Sequence, residues 1–209
     1  LAEMKRYVLP KDYPELDFTK MTIYLIEGSG KVLGAMSEKS SLQAADYLQR
    51  LGVTTRTNTQ VEGYDGNELR FKDGSAISAA TVIWSAGIKG NIPGGFESLT
   101  FQRGNRLLVD ADNKVSGMTG IYAIGDVAAM VSENYPGGHP QVAPVAMQQA
   151  DNLAKNIRRI NDGDSFAGIP FMYKDKGAMA TVGRNLAVVD IPSPKLHFGG
   201  FFAWLVWMA

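Results

Sequence analysis

The run Gly120-Ile121-Tyr122-Ala123-Ile124-Gly125-Asp126 places a carboxylate directly after a glycine that closes an apolar stretch. A parallel strand covered on both faces reads as a continuous apolar run, and residues 121–124 fit one. In open α/β sheets, ligands sit just beyond the carboxyl ends of such strands. Gly125 lets the backbone approach a ligand closely. Asp126 is an acceptor-only group suited to sugar or ribitol hydroxyls. The alternative is a buried strand that simply ends in a turn.

A second acidic candidate is Glu27, which closes the expected strand Met21–Ile26. An acid at the end of the second strand of a Rossmann unit accepts hydrogen bonds from the adenosine ribose, and it repels a 2′-phosphate. A surface glutamate at a strand end accounts for it equally well. Gly28-Ser29-Gly30-Lys31 is not a phosphate loop. The Walker pattern would need glycine where Leu25 stands and Ser or Thr where Val32 stands, and the dinucleotide fingerprint would need glycine in place of Leu33. No G-x-G-x-x-G occurs in the chain, so the glycine-rich turns of a nucleotide-binding unit are expected upstream of Leu1.

Positioning these residues requires alternating strands and helices. A polar connection is expected over residues 11–17. The pattern turns helical from Ser37 or Ser40 to Leu51, with Leu42, Ala45, Leu48 and Leu51 as its apolar stripe and Gly52 at the C′ position. Short strands follow at 53–59, 61–64, 68–71 and 76–77, separated by the turn pairs Asp65-Gly66 and Asp73-Gly74. Thr81-Val82-Ile83-Trp84 reads as another buried strand, and Ser85-Ala86-Gly87 leave room for a ligand at its end. Residues 88–101 form a crossing, and Leu107–Asp110 a short strand. A helix follows Pro140, with Pro144 in its first turn and Ala146, Ala150, Leu153, Ala154 and Ile157 as its core stripe. A helix N-terminus offers free backbone donors and a partial positive charge.

The 209 residues suffice for one large core or two modest ones, and 45% apolar with 20% charged residues is an ordinary globular composition. With no cysteine, disulfides, zinc-thiolate sites and thiol nucleophiles are excluded within these residues. A formal net charge of zero gives no basic field for nucleic acid. His139 has no second histidine nearby, so no metal site is expected, and His197 reads as a loop or interfacial residue. The aromatic run Phe198–Ala209 is shorter than the roughly 20 apolar residues of a membrane span. It suits an interfacial helix, with a terminal core helix as the alternative. Both termini look cut, and a longer protein is expected.

Three stretches carry a resemblance. Thr119–Asp126 is similar to the second flavin signature of two-dinucleotide-binding flavoproteins. Pro140–Gln149 and Lys174–Arg184 narrow the likeness to the type II NADH:quinone oxidoreductases, and it extends over nearly all the chain from about Met21. The resemblance implies a three-layer α/β two-dinucleotide-binding fold with both Rossmann-like domains incomplete, a β meander and a C-terminal interfacial helix. It implies an NADH domain over 1–89, an FAD domain over 90–165 and a quinone- and membrane-associated region over 166–209.

By the same resemblance, Asp126, following Gly125, would hold the ribitol of FAD, and Glu27 the adenosine ribose of NADH. Ala86 and Gly87 would border the nicotinamide. Ala143, Pro144 and Val145 would face the flavin at a helix N-terminus, and Gln148 and Lys176 would lie toward the quinone. The family pattern Ala-Gln-x-Ala-x-Gln has Pro144 in place of its first glutamine. Lys176 as a solvated loop charge, and Gln148 as an ordinary helix glutamine, are the alternatives. The implied activity passes electrons from NADH through FAD to a membrane quinone of the respiratory chain. The implied protein is peripheral on the cytoplasmic face of the inner membrane and compatible with a homodimer, and residues 1–209 alone are not expected to turn over. A soluble flavin reductase serving a ferredoxin-like acceptor, or a non-catalytic flavin-binding interaction protein, are the other readings.

Overall fold

The computed structural model describes residues 1–163 and 168–208. In chain order the elements are α1 (Leu9–Asp12), β1 (Ile23–Ile26), α2 (Glu38–Arg50), β2 (Val53–Arg56), β3 (Val61–Tyr64), β4 (Glu68–Phe71), β5 (Ala76–Ser78), β6 (Phe101–Gln102), β7 (Arg106–Val109), β8 (Ala128–Met130), α3 (Ala143–Asn161), β9 (Ala178–Gly183), β10 (Leu186–Ile191), β11 (Leu196–Gly200) and α4 (Phe201–Met208). They fall into two compact units, residues 1–83 with 176 onward, and Trp84–Asp175. The expected boundary at 165/166 lies outside the described residues.

In the first unit, β1 and β2 pair in parallel from Ile23↔Val53 to Ile26↔Arg56, with α2 as the crossover. The expected meander is present as β3–β4–β5. Asp65 Oδ1 accepts the N–H groups of Asn67 and Glu68, and Gly66 takes a positive φ, so the turn is closed by its own side chain. The sheet β11–β10–β9 is antiparallel throughout.

Helix α2 is where expected, but it buries a different face. Ser40, Ser41, Ala44 and Tyr47 point inward, while Leu42 is 64% exposed. The serines turn in because Asp190 on β10 binds them. Its carboxylate accepts Ser37 N–H at 2.7 Å, Ser37 Oγ–H at 2.9 Å and Ser40 Oγ–H at 2.8 Å, and His197 Nδ1 lies 3.1 Å away. Burial pushes this carboxyl up, but those hydrogen bonds outweigh it and hold it below its ordinary value. His197 is therefore a strand residue within this cluster rather than a loop residue. Beside the displaced stripe, Leu42, Ala45, Val53 and Thr55 line an open groove of about 660 Å³. Helix α4 buries Ala203 and leaves Phe202 75% exposed.

In the second unit, β7 pairs antiparallel with β6 and parallel with β8. Its core gathers Leu107, Val109, Val115, Ala123, Met130 and Phe171. Two expected strands do not form. Residues 81–84 make no strand, and Ile83 and Trp84 are 63% and 67% exposed. Ile124 is extended, but residues 121–124 carry only the single bridge Lys114↔Tyr122. A buried-strand pattern requires ladder partners on both sides, and neither segment has them among the described residues.

Gly177 has φ +102, and a Cβ there would strike the carbonyl oxygen of Asp190. Gly177→Ala is expected to destabilise the first unit by about 1–3 kcal/mol through backbone strain and that clash, read as a lower urea midpoint. An unchanged midpoint would show that β9 and β10 separate freely there.

Candidate functional site

The glycine–acid pair is built from both sides. Ile124 is extended, Gly125 turns the chain at φ +69, and Asp126 sits in a short helical turn over Gly125–Val127 that leads into β8. A left-handed φ strains any residue but glycine. A Cβ at Gly125 would also lie 3.2 Å from the Cβ of Ala146 on α3. Gly125 N–H donates to Gln149 Oε1 at 2.7 Å, and Gln141 Nε2 donates to the Asp126 carbonyl at 2.9 Å. The half-buried Asp126 carboxylate itself accepts no hydrogen bond among the described residues. An ionised carboxylate has room for several donors, so this one has acceptor capacity to spare.

Arg106, on β7, is the residue that orders the surroundings. It is 6% exposed, and Nε donates to the Ala128 carbonyl at 3.0 Å. Nη2 donates to the same carbonyl and to that of His139 at 2.9 Å, and Nη1 reaches the Gly137 carbonyl at 3.4 Å. Burial pulls the guanidinium below its ordinary pKa, and the Asp126 charge opposes that shift. One side chain thus ties the start of β8 to the loop that feeds α3.

That loop ends at an uncapped helix. Val142, the residue before α3, is extended and supplies no side-chain acceptor, and Pro144 stands in the first turn. No side chain caps the partial positive end of the helix macrodipole, and its first turn carries no acidic residue. Ala143 and Pro144 are exposed, whereas Val145 is only 2% exposed. Ala86 and Gly87, with Trp84, Arg103, Arg106 and Gln141, line a cavity of about 540 Å³.

The inner stripe of α3 differs from the one expected. Ala154 is exposed and Ile157 is 41% exposed, while Val145, Gln149 and Asn156 are buried. Asn156 brackets Ile169, donating to its carbonyl at 3.0 Å and accepting its N–H at 2.8 Å, and Asn152 donates to the same carbonyl at 3.0 Å. Gln148 brackets Lys174 in the same way, at 3.0 and 3.1 Å. These amides pin the segment from Gly168 to Asp175 along the helix. Gln148 keeps its second amide hydrogen. Arg106, Gln141 and Gln149 carry no motif, but the spacing of 145, 149, 152 and 156 is that of one helical face, a signal that polar residues share the stripe.

In the first unit, Glu27 stands at the end of β1, where Oε1 accepts the Ser29 N–H at 2.7 Å. Its other oxygen accepts no hydrogen bond among the described residues. Lys176 is exposed. Among the described residues no group of acids, histidines or cysteines could hold a metal ion.

Residues 16–150 match the pyridine nucleotide-disulphide oxidoreductase family. The chain belongs to that family. Among curated family relatives, a type II NADH:quinone oxidoreductase of Mycobacterium tuberculosis is 33% identical over 217 aligned positions, covering 100% of this chain and 45% of that protein. One from Staphylococcus aureus is 32% identical over 177 positions, covering 81% of this chain and 42% of its own length. The chain thus spans less than half the length of these two relatives. A solved structure of NDH2 from Plasmodium falciparum in complex with NADH superposes with a TM-score of 0.81 over 99% of this chain and 57% of that one, at 17% identity. The α/β two-dinucleotide-binding flavoprotein fold expected from the sequence is the fold of this chain.

His139 is buried among Tyr135, Phe171 and Tyr173, and its Nδ1 has no hydrogen-bond partner among the described residues. Burial, and then the Arg106 charge, hold the imidazole below its ordinary value of 6.5. The unfolded chain therefore takes up this proton first as pH falls, and stability from His139 is full above 6.5 and declines below it. Melting temperature should drop as pH falls below 6.5, and His139→Phe should flatten that drop. Parallel curves for the two proteins would contradict the assignment.

Proposed function

We propose that this chain is part of an FAD-dependent oxidoreductase that accepts electrons from NADH and delivers them to a membrane quinone. The observation that carries the reading is the unbonded Asp126 carboxylate, fixed behind Gly125 and next to an uncapped helix start. Bound FAD would supply the redox chemistry, taking a hydride and returning two electrons. The donor set present fits such a group. Asp126 would accept from ribitol hydroxyls, and the open α3 terminus would favour negative charge developing near Ala143 and Pro144.

Toward the other substrates, Glu27 would accept from the adenosine ribose of NADH through its remaining oxygen, and the carboxylate would repel a 2′-phosphate. Ala86 and Gly87, beside the 540 Å³ cavity, would leave room for the nicotinamide. Gln148 would offer its free amide hydrogen to a quinone carbonyl, with Pro144 making that wall apolar. Lys176, exposed, would steady negative charge on the quinone. The matching relatives are named for NADH and quinone, which supports this choice of substrates.

We assign residues 1–89 to the NADH domain, 90–165 to the FAD domain and 166–209 to the quinone- and membrane-associated region. No described helix is long and apolar enough to cross a membrane. The exposed aromatic and aliphatic side chains of α4 instead support peripheral seating in the headgroup layer, with the cytoplasmic face of the inner membrane as the proposed side.

The test uses the full-length protein in liposomes with NADH and a quinone. Asp126→Ala should weaken FAD binding about 10–100-fold, the loss of hydrogen bonds to a charged group, and turnover should fall with flavin content. Unchanged FAD affinity would remove Asp126 from the site. Reoxidation by a ferredoxin-like protein but not by quinone would replace the proposed acceptor.

A further inference from the structure

Gln149 is 1% exposed, on the face of α3 that elsewhere buries Val145. A buried amide is costly unless its bonding groups are matched, and an apolar side chain of the same shape would fill the space more cheaply. What the amide does here is accept one backbone donor, the N–H of Gly125, at 2.7 Å. That N–H belongs to the residue whose positive φ turns the chain into Asp126. Ala146, one turn back on the same helix, narrows the space above Gly125, where an added Cβ would lie 3.2 Å from its own.

We propose that Gln149 is a positioning residue for FAD, fixing the Gly125 amide and so the backbone from which the Asp126 carboxylate projects. The inference rests on the reading that Asp126 holds the ribitol. It adds that the helix offering its N-terminus also anchors the acid's turn, so that both groups are placed by one rigid element. Gln141 supports the same turn from the Asp126 carbonyl, but it lies outside the helix and is only half buried.

The experiment is a double-mutant cycle on full-length protein, reading the FAD dissociation constant by flavin fluorescence and the apoprotein melting temperature. Gln149→Met keeps the volume and removes the acceptor. It should weaken FAD binding about tenfold, the scale of one lost hydrogen bond, and also lower the apoprotein melting temperature, because the Gly125 N–H is left unpaired. In the Asp126→Ala background the same substitution should change FAD affinity less than twofold, because its effect passes through Asp126. Additive losses, or wild-type affinity in Gln149→Met alone, would overturn the proposal.

If Asp126→Ala binds FAD normally, the ribitol reading itself fails, and that arm separates the two. Hydrogen exchange on the unsubstituted apoprotein adds a measurement that needs no variant. The Gly125 amide should be protected before FAD is added, and exchange at the rate of an open amide would also overturn the proposal.

Discussion

A guanidinium withdrawn from water and bound to backbone carbonyls is the constraint on which the second unit depends. Arg106 reaches Ala128, Gly137 and His139, which lie 22 to 33 residues further along the chain on a strand and a glycine-rich loop. Neither the loop nor β8 has enough regular pairing to define its own path, since β8 is three residues long and, among the described residues, pairs only with β7. Removing one partner of a buried charge leaves the remaining groups uncompensated. The loop that starts α3 and the strand that follows Asp126 therefore hold their places together. The same charge reaches outward: Asp126 offsets part of the cost of burying it, and it adds to the burial that lowers the His139 pKa.

Helix α3 extends that frame to the candidate site. Its outer end is left uncapped, while its inner face carries amides in place of aliphatic side chains. Each amide answers a specific backbone group: Gln149 answers Gly125, Asn156 answers Ile169, and Gln148 answers Lys174. Such bonds contribute little net stability individually, yet leaving any of their buried partners unpaired is expensive. The helix thus dictates where the irregular segments around it run. In the first unit Asp190 plays the comparable part, drawing the serines of α2 inward and displacing Leu42 to the surface.

Elements whose cues are local were legible in the sequence. The β1–α2–β2 crossover, the meander with its Asp-Gly turns, β7, α3 with its early proline and the apolar α4 all follow from periodicity, capping and turn chemistry. The misread elements depend on partners. Residues 81–84 and 121–124 have the composition of buried strands, but that pattern records a demand for neighbours, and a ladder forms only where neighbours stand. Both helical stripes were misplaced for a related reason: apolar periodicity ignores inward-facing polar residues, and Ser40, Gln149 and Asn156 are buried by hydrogen bonding. Glu27, Gly125 and Asp126 could be named because a strand-end acid and a glycine–acid pair are local motifs. Arg106 and Gln149 could not, because their partners lie more than twenty residues away in sequence.

The central claim is that this scaffold holds an acid ready for the hydroxyls of a flavin's sugar-alcohol arm. A structure of the full-length protein with FAD bound tests it most directly. The account predicts an Asp126 oxygen at roughly 2.5–3.2 Å from a ribitol hydroxyl, with Gly125 still bonded to Gln149. An ordered FAD whose ribitol lies beyond about 5 Å from that carboxylate, too far for any direct hydrogen bond, would contradict it.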